Sequence, residues 1–230
     1  MLLGEKAIES EVRWILASGS PRRRQLWSLL DWSAELRPTS IIERRGEGER
    51  PEDYVSRLAL EKLRAAAKVE SGNGIIFAAD TIVVDGDQIM GKPSDADQAR
   101  TMLLRLRGRR HRVITAIALL DLASERVFAD ACNTQVAMRQ YSLEEMEAYI
   151  ASGNPLDKAG AYGIQDDGFS PVDEAQMKGC YANVMGLPLC HLMRTTRRMG
   201  IELPEAIPEK CKAYTGYDCR AFSAILGWEK

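Results

Sequence analysis

Three consecutive arginines, Arg22, Arg23 and Arg24, directly follow Ser18-Gly19-Ser20-Pro21, and this is the first run in the chain with the makings of chemistry. Ser20 suits a helix N-cap and Pro21 suits the first helical position, so the arginines fall in the first turn of a helix. There they oppose the positive end of the helix dipole and repel one another, a cost that an anion would offset. Free backbone N–H groups, two hydroxyls and the guanidinium groups together make a site suited to a polyphosphate. For these residues taken alone, a solvated run of charge is the alternative.

A second candidate is Asp80-Thr81, delivered by the apolar run Ile75-Ile76-Phe77-Ala78-Ala79. The pattern puts a carboxylate at the carboxyl end of a buried strand, the usual ligand crevice of an α/β sheet. A carboxylate there can hold a divalent metal or accept a proton from water. Lys92, in Gly91-Lys92-Pro93, comes back after the Asp85-Gly86 hairpin signal, which returns a cation to the same end. Gly163-Ile164-Gln165 offers an amide that can both donate to and accept from a base edge. Glu61-Lys62 lies within a helix of good helix formers and alone says little.

Other features point away from rival chemistries. His111, in an arginine-rich turn, and His191, beside Cys190, belong to no motif and read as structural or surface residues. Neither forms a Ser-His or Cys-His arrangement. Asp85-Gly86-Asp87 would be poorly placed as an aspartyl-phosphate site, because it sits in a hairpin turn. The clusters Arg105, Arg107, Arg109, Arg110, Arg112 and Arg194, Arg197, Arg198 lack interleaved aromatics and read as solvated helix ends, not as a nucleic-acid surface.

The elements that must position these residues follow from periodicity and punctuation. Val12 to Ala17 reads as a strand, with a helix from Pro21 to about Leu30 and another from Pro51 to about Val69. Ser94 with Asp97 caps a third helix to about Arg107. Val113 to Leu122 and Arg126 to Met138 read as antiparallel strands. Ser142 with Glu145 is a capping box for a helix that ends near Gly153-Asn154-Pro155. Asp157 to Gly186 reads as mostly loop with short strands at Ala161 to Ile164 and Tyr181 to Met185, and Leu189 to Met199 as a final helix. Ile201 to Lys230 shows no clear period.

Composition sets the frame. The 230 residues are 45% hydrophobic and 28% charged, with a net charge of -2 and a pI near 5.9, the profile of a globular protein without the footprint of a binder of long nucleic acid. No segment approaches the roughly 20 apolar residues of a membrane helix, so a cytoplasmic protein with no membrane or nucleic-acid partner is expected. Five cysteines without a C-x-x-C pair suggest free or buried thiols.

In order and spacing, Leu16-Ala17-Ser18-Gly19-Ser20-Pro21-Arg22-Arg23, Leu60-Glu61-Lys62, Ala79-Asp80-Thr81, Gly91-Lys92-Pro93, Leu156-Asp157-Lys158-Ala159-Gly160-Ala161-Tyr162-Gly163-Ile164-Gln165 and Gly186-Leu187-Pro188 resemble the Maf family. Each motif is weak, whereas six in register from about Arg13 to Gly200 are specific. The resemblance implies an α/β fold similar to inosine triphosphate pyrophosphatases, a mixed twisted sheet with flanking helices and two lobes around a nucleotide cleft. It implies hydrolysis of a nucleoside triphosphate to the monophosphate and pyrophosphate. Asp80 would then activate water, and Ser18, Arg22, Arg23, Lys62 and Lys92 would hold the triphosphate. Glu43 and Asp80 would lie near a divalent metal, Mg or Mn. Arg22, Thr81 and Gln165 match the branch that takes dTTP and UTP, and a homodimer is common in the family. A non-catalytic nucleotide-binding regulator of cell division is the alternative, against which Asp80 speaks, since a carboxylate beside a triphosphate repels it unless a metal intervenes. The expected organisation is a catalytic domain over 12–200 and a C-terminal extension over 201–230, outside the resemblance. Within the matched region, Arg24 and Trp27 depart from the family's usual residues, and Asp166 to Met177 is unusually acidic.

Overall fold

Ile75–Asp85 is buried at every position except Thr81, which is half-buried, as befits a strand covered on both faces. In the computed structural model, which describes residues 12–228, it is the strand around which the others assemble. The chain runs β1 (Trp14–Leu16), α1 (Pro21–Trp27), β2 (Ala34–Leu36), α2 (Pro51–Ala67), β3 (Ile75–Asp85), β4 (Gln88–Met90), α3 (Ala96–Leu106), β5 (Arg110–Asp121), β6 (Val127–Ala137), α4 (Leu143–Ala151), α5 (Tyr181–Met185), α6 (Leu189–Arg198), α7 (Ile207–Thr215) and α8 (Phe222–Leu226). The sheet order is β2-β1-β3-β5-β6, with β4 paired to β3 as a hairpin. β1 is parallel to β2 and β3, whereas β3, β5 and β6 are antiparallel, so the sheet is mixed.

Alternation along β3 divides the core. Ile76, Ala78, Ile82 and Val84 pack with Tyr54, Val55, Leu58, Leu63 and Ala66 of α2 on one face. Ile75, Phe77, Ala79 and Val83 pack on the opposite face with residues of α1, α3, α4 and α6. Asp80 and Thr81 therefore project to opposite faces. Trp27, the departure from the family noted above, closes the second core beside β1: its ring meets Trp14 at 5.5 Å and Phe77 at 5.4 Å, and its Nε1 donates to Trp32 O at 3.1 Å.

Several expectations need correction. β3 does not end at Asp80, because pairing with β5 continues in register from Ile75 opposite Asp121 to Val84 opposite Arg112. What ends there is the parallel neighbour: β1 stops at Leu16, opposite Phe77, and leaves Asp80 just past its carboxyl end. The α3 cap is Asp95, which accepts from Gln98 N at 2.8 Å, instead of Ser94. Ala161 to Ile164 and Tyr181 to Met185 are not strands. Ala159–Ala161 is a 3₁₀ turn with Gly160 in the left-handed region, and Tyr181–Met185 is a short α-helix closed by Gly186 at φ 104°. Short apolar runs carry too little period to separate strand from helix.

The capping box at Ser142 and Glu145 is present as expected. Residues 201–228 form two short helices on the second core, with Leu203, Ile207 and Leu226 buried there. No helix among the described residues is long and apolar enough to cross a membrane. Because Ile207 is fully buried, Ile207→Ala should lower the unfolding free energy by about 2–5 kcal/mol. A denaturant melt checks this, and a change within error would mean that α7 contributes nothing to the core.

Candidate active site

β1 ends in the loop Ser18–Ser20, and α1 starts at once. Ser20 is extended (φ -68°, ψ 120°), its hydroxyl accepts from Arg23 N at 3.4 Å, and Pro21 supplies a preset φ. That geometry aims the first turn of α1 across the carboxyl end of β1. A cleft of about 570 Å³ opens there, lined by the 18–23 segment, Thr39, Glu43, Lys62, Asp80, Thr81, Lys92, Asp157, Lys158, Gln165 and Gly186. All of the site residues expected from sequence, Ser18, Arg22, Arg23, Glu43, Lys62, Asp80, Thr81, Lys92 and Gln165, line this one cleft. Arg24 does not: it is exposed on α1 outside the lining.

The charges are paired in an ordered way. Asp80, 6% exposed, takes an ion pair from Lys62, whose ammonium also lies 2.7 Å from Glu43. Lys62 occupies the apolar stripe of α2, four residues after Leu58 and one before Leu63, and this directs it at the sheet. Burial pushes the Asp80 carboxyl above the ordinary carboxylate range, and the Lys62 charge opposes that shift. Arg23 is held by Gly186 O at 2.8 Å from Nε, Ser18 Oγ at 3.1 Å from Nη1 and Thr81 Oγ1 at 3.0 Å from Nη2. Burial lowers the pKa of its guanidinium, with the Asp80 charge working against that effect.

Arg22 reaches over the cleft to Asp157, at 3.1 Å from its carboxylate. Lys92 is exposed at the rim and makes no ion pair among the described residues. Gln165 presents its Oε1, and Thr39 its Oγ1, as buried oxygens without a hydrogen-bond partner. In a concave site such atoms are where a ligand's donors belong.

Sequence reasoning missed Asp157, Lys158 and Thr39 as site residues. Lys158 is 8% exposed and donates to Asn154 O at 2.5 Å and to Asp157 at 2.8 Å, with Asp166 at 3.2 Å. Asp157-Lys158 lies within the family motif Leu156 to Gln165, and an opposite-charge pair in a Gly-rich loop was the signal available. Thr39 left no signal. Among the described residues no three His, Cys, Asp or Glu side chains form a group that could hold a metal by themselves. Glu43 and Asp80 do converge on one ammonium, so two carboxylates face one point.

The rival sites lie elsewhere. Asp85 is buried at the hairpin in ion pairs with Arg105 at 2.6 Å and Arg109 at 3.5 Å, outside the cleft. Arg112 is tied to Glu52, Arg194 to Asp130 and Arg197 to Glu202, so these arginines neutralise the protein's own carboxylates. His111 lies in β5, not in a turn, and is buried with Nε2 at 2.7 Å from the Tyr162 hydroxyl. His191 is buried on α6.

A protein-family model described as Maf-like protein matches residues 13–199. The chain belongs to the Maf family. A dTTP/UTP pyrophosphatase of Anaeromyxobacter dehalogenans (strain 2CP-1) is 45% identical over 194 residues, covering 84% of this chain and 96% of the relative. The dTTP/UTP pyrophosphatase of Photorhabdus laumondii is 45% identical over 174 residues, 76% of this chain and 87% of its own. Among solved structures, a HAM1 protein from Coxiella burnetii covers 89% of this chain and 99% of its own at 13% identity and a TM-score of 0.45, a likeness too loose to carry weight. The Maf match ends just before the two C-terminal helices.

The buried histidines give the stability of this Maf-family chain a pH dependence. Burial pushes His111 and His191 down to about 4 from the usual 6.5. Between those values the unfolded chain binds their protons and the folded chain does not, so stability rises with pH across that window and is lost as pH falls through it. Denaturant melts at a series of pH values should show this slope, and His191→Leu should flatten part of it. A wild-type stability that stays level across the window would contradict the assignment.

Proposed function

We propose that the chain is a nucleoside triphosphate pyrophosphatase that hydrolyses dTTP and UTP to the monophosphate and pyrophosphate. The observation that carries this reading is the Asp80 carboxylate, buried at the floor of a cleft whose walls hold Arg22, Arg23, Lys62 and Lys92. A triphosphate fits cations on the wall, and a water aimed at the α-phosphorus needs a base on the floor. The relatives from Anaeromyxobacter dehalogenans and Photorhabdus laumondii are dTTP/UTP pyrophosphatases.

In this mechanism Asp80 takes the proton of the attacking water. Its raised pKa makes it a better base than an exposed aspartate, and the Lys62 charge beside it favours its ionised form. The leaving pyrophosphate gains charge as the bond breaks, and Arg22, Arg23 and Lys92 stabilise that charge where it develops. Ser18 is buried against Arg23 and fixes the guanidinium toward the phosphates. Glu43 and Asp80, which share the Lys62 ammonium, are the two carboxylates that would hold Mg or Mn beside it, since these ions bind through one or two carboxylates together with substrate phosphates. Such an ion, when bound, supplies positive charge that polarises phosphoryl oxygens.

Gln165 reads the base in this account. An amide that donates to O4 and accepts from N3–H fits uracil and thymine, while cytosine reverses both positions. The unpartnered Oε1 supports this, as it is an acceptor waiting for a donor. The same reading has the enzyme act in the cytoplasm and, as is common in the family, as a homodimer.

Pyrophosphate release from dTTP, UTP, CTP, ATP, GTP and 7-methyl-GTP should be selective for the first two, vanish with a chelator and return with Mg or Mn. Asp80→Asn should lower turnover by about 10²–10⁴-fold. Tight nucleotide binding without turnover of any member would favour a non-catalytic regulator. Gln165→Ala should erase most of the preference for UTP over CTP, and an unchanged preference would remove Gln165 from base recognition.

A further inference from the structure

Thr81 is the one position of β3 that is not fully buried, and its hydroxyl begins a polar chain beneath the cleft. Arg23 Nη2 donates to Thr81 Oγ1 at 3.0 Å, Thr81 Oγ1 lies 2.9 Å from Thr115 Oγ1, and Thr115 Oγ1 donates to Asn183 O at 3.0 Å. The two ends fix every direction in between, because a guanidinium only donates and a carbonyl only accepts. Thr115 gives its single proton to Asn183 O, so it must accept from Thr81. Thr81 has then spent its own proton, and its oxygen is left to accept from Arg23.

The far end of this chain is rigid. Thr115, Thr134 and Asn183 are fully buried. Asn183 Nδ2 donates to Val113 O and to Thr134 Oγ1, both at 2.9 Å, and Thr134 Oγ1 also accepts from Cys180 N at 3.0 Å. α5 is thereby tied to β5 and β6 at its start and its centre. Gly186, which closes α5, accepts from Arg23 Nε, and a Cβ there would stand 3.2 Å from Thr81 Oγ1. Three of the guanidinium's N–H groups are thus committed to the protein, and the remaining ones on Nη1 and Nη2 are what a phosphate oxygen can use.

We propose that Thr81 and Thr115 are positioning residues: the one-way chain from Arg23 through Thr81 and Thr115 to Asn183 O sets where the guanidinium presents its free N–H groups, and Thr81 acts on substrate through Arg23 instead of touching the base. The ligand in this inference rests on the pyrophosphatase reading. Thr81, which the family resemblance groups with Arg22 and Gln165 as a mark of the dTTP and UTP branch, therefore governs grip on the triphosphate, while Gln165 governs the choice of base. Valine at either threonine keeps the shape and removes the hydroxyl, and serine at position 115 keeps the hydroxyl.

The test measures affinity by calorimetry for two probes, inorganic tripolyphosphate and UTP, with Mg present and with every variant made on Asp80→Asn so that neither probe is turned over. Thr81→Val and Thr115→Val should each weaken both probes by the same factor, about tenfold, the value of one misdirected charge-assisted hydrogen bond. Thr115→Ser should restore both affinities. A loss confined to UTP would show that Thr81 reads the nucleoside, and unchanged affinities in folded valine variants would remove the chain from function; either outcome overturns the proposal. If Thr115→Val does not fold, the half-buried Thr81→Val carries the same measurement. Failure of the wild type to hydrolyse UTP would overturn the pyrophosphatase reading separately, since tripolyphosphate binding is read without turnover.

Discussion

The site depends on one ammonium group. Asp80 is a carboxylate in the middle of an apolar strand, and without a counter-charge it would take up a proton and cease to be a base. Lys62 supplies that charge from α2, and α2 is pinned by the apolar stripe Tyr54, Val55, Leu58, Leu63 and Ala66. The Lys62 side chain is 14% exposed and that of Asp80 8%, so removing Lys62 strips a buried carboxylate of its paired ammonium, at a cost of about 3–5 kcal/mol, whereas removing Asp80 leaves Lys62 still paired with Glu43. Burial and pairing pull the carboxyl in opposite directions. The net direction is upward, so the carboxylate binds a proton more readily than one in water.

From that pair the geometry of the cleft follows. β1 stops opposite Phe77, so β3 runs on past it and turns Asp80 and Thr81 to the cleft lining at the step. Because neighbouring residues of a strand face opposite sides, Asp80 meets Lys62 while Thr81 meets Arg23. The proposed base and the hydroxyl that holds Arg23 thus sit side by side on one strand, each paired with a cation from a different layer. Arg22 joins the α1 end to the Asn154–Asp157 turn through Asp157, and Lys158 holds that carboxylate in place.

Much of this was legible in the residues because local chemistry and tertiary structure agreed. Ser20-Pro21 fixed the start of α1, the Ser142 and Glu145 pair fixed α4, and Asp85-Gly86 fixed the β3–β4 hairpin. Tyr181–Met185 was misread as a strand, since five residues span barely one helical turn and hold no period. The helices of residues 201–228 were invisible for a similar reason: they are short and are held by packing of Leu203, Ile207 and Leu226 onto a core built elsewhere. Lys62 looked ordinary as a dipeptide with Glu61, although a lysine inside an apolar stripe was a usable sign. Thr39 and the Thr81–Thr115–Asn183 chain could not be read, because they exist only where separate strands and α5 meet.

The central claim is that water attacks the α-phosphorus with Asp80 as its base. Hydrolysis of UTP in ¹⁸O-labelled water, followed by mass spectrometry of both products, tests it most directly. The label should appear in the uridine monophosphate and be absent from the pyrophosphate. Label in the pyrophosphate, or release of orthophosphate carrying it, would place the attack at the β- or γ-phosphorus and contradict the account.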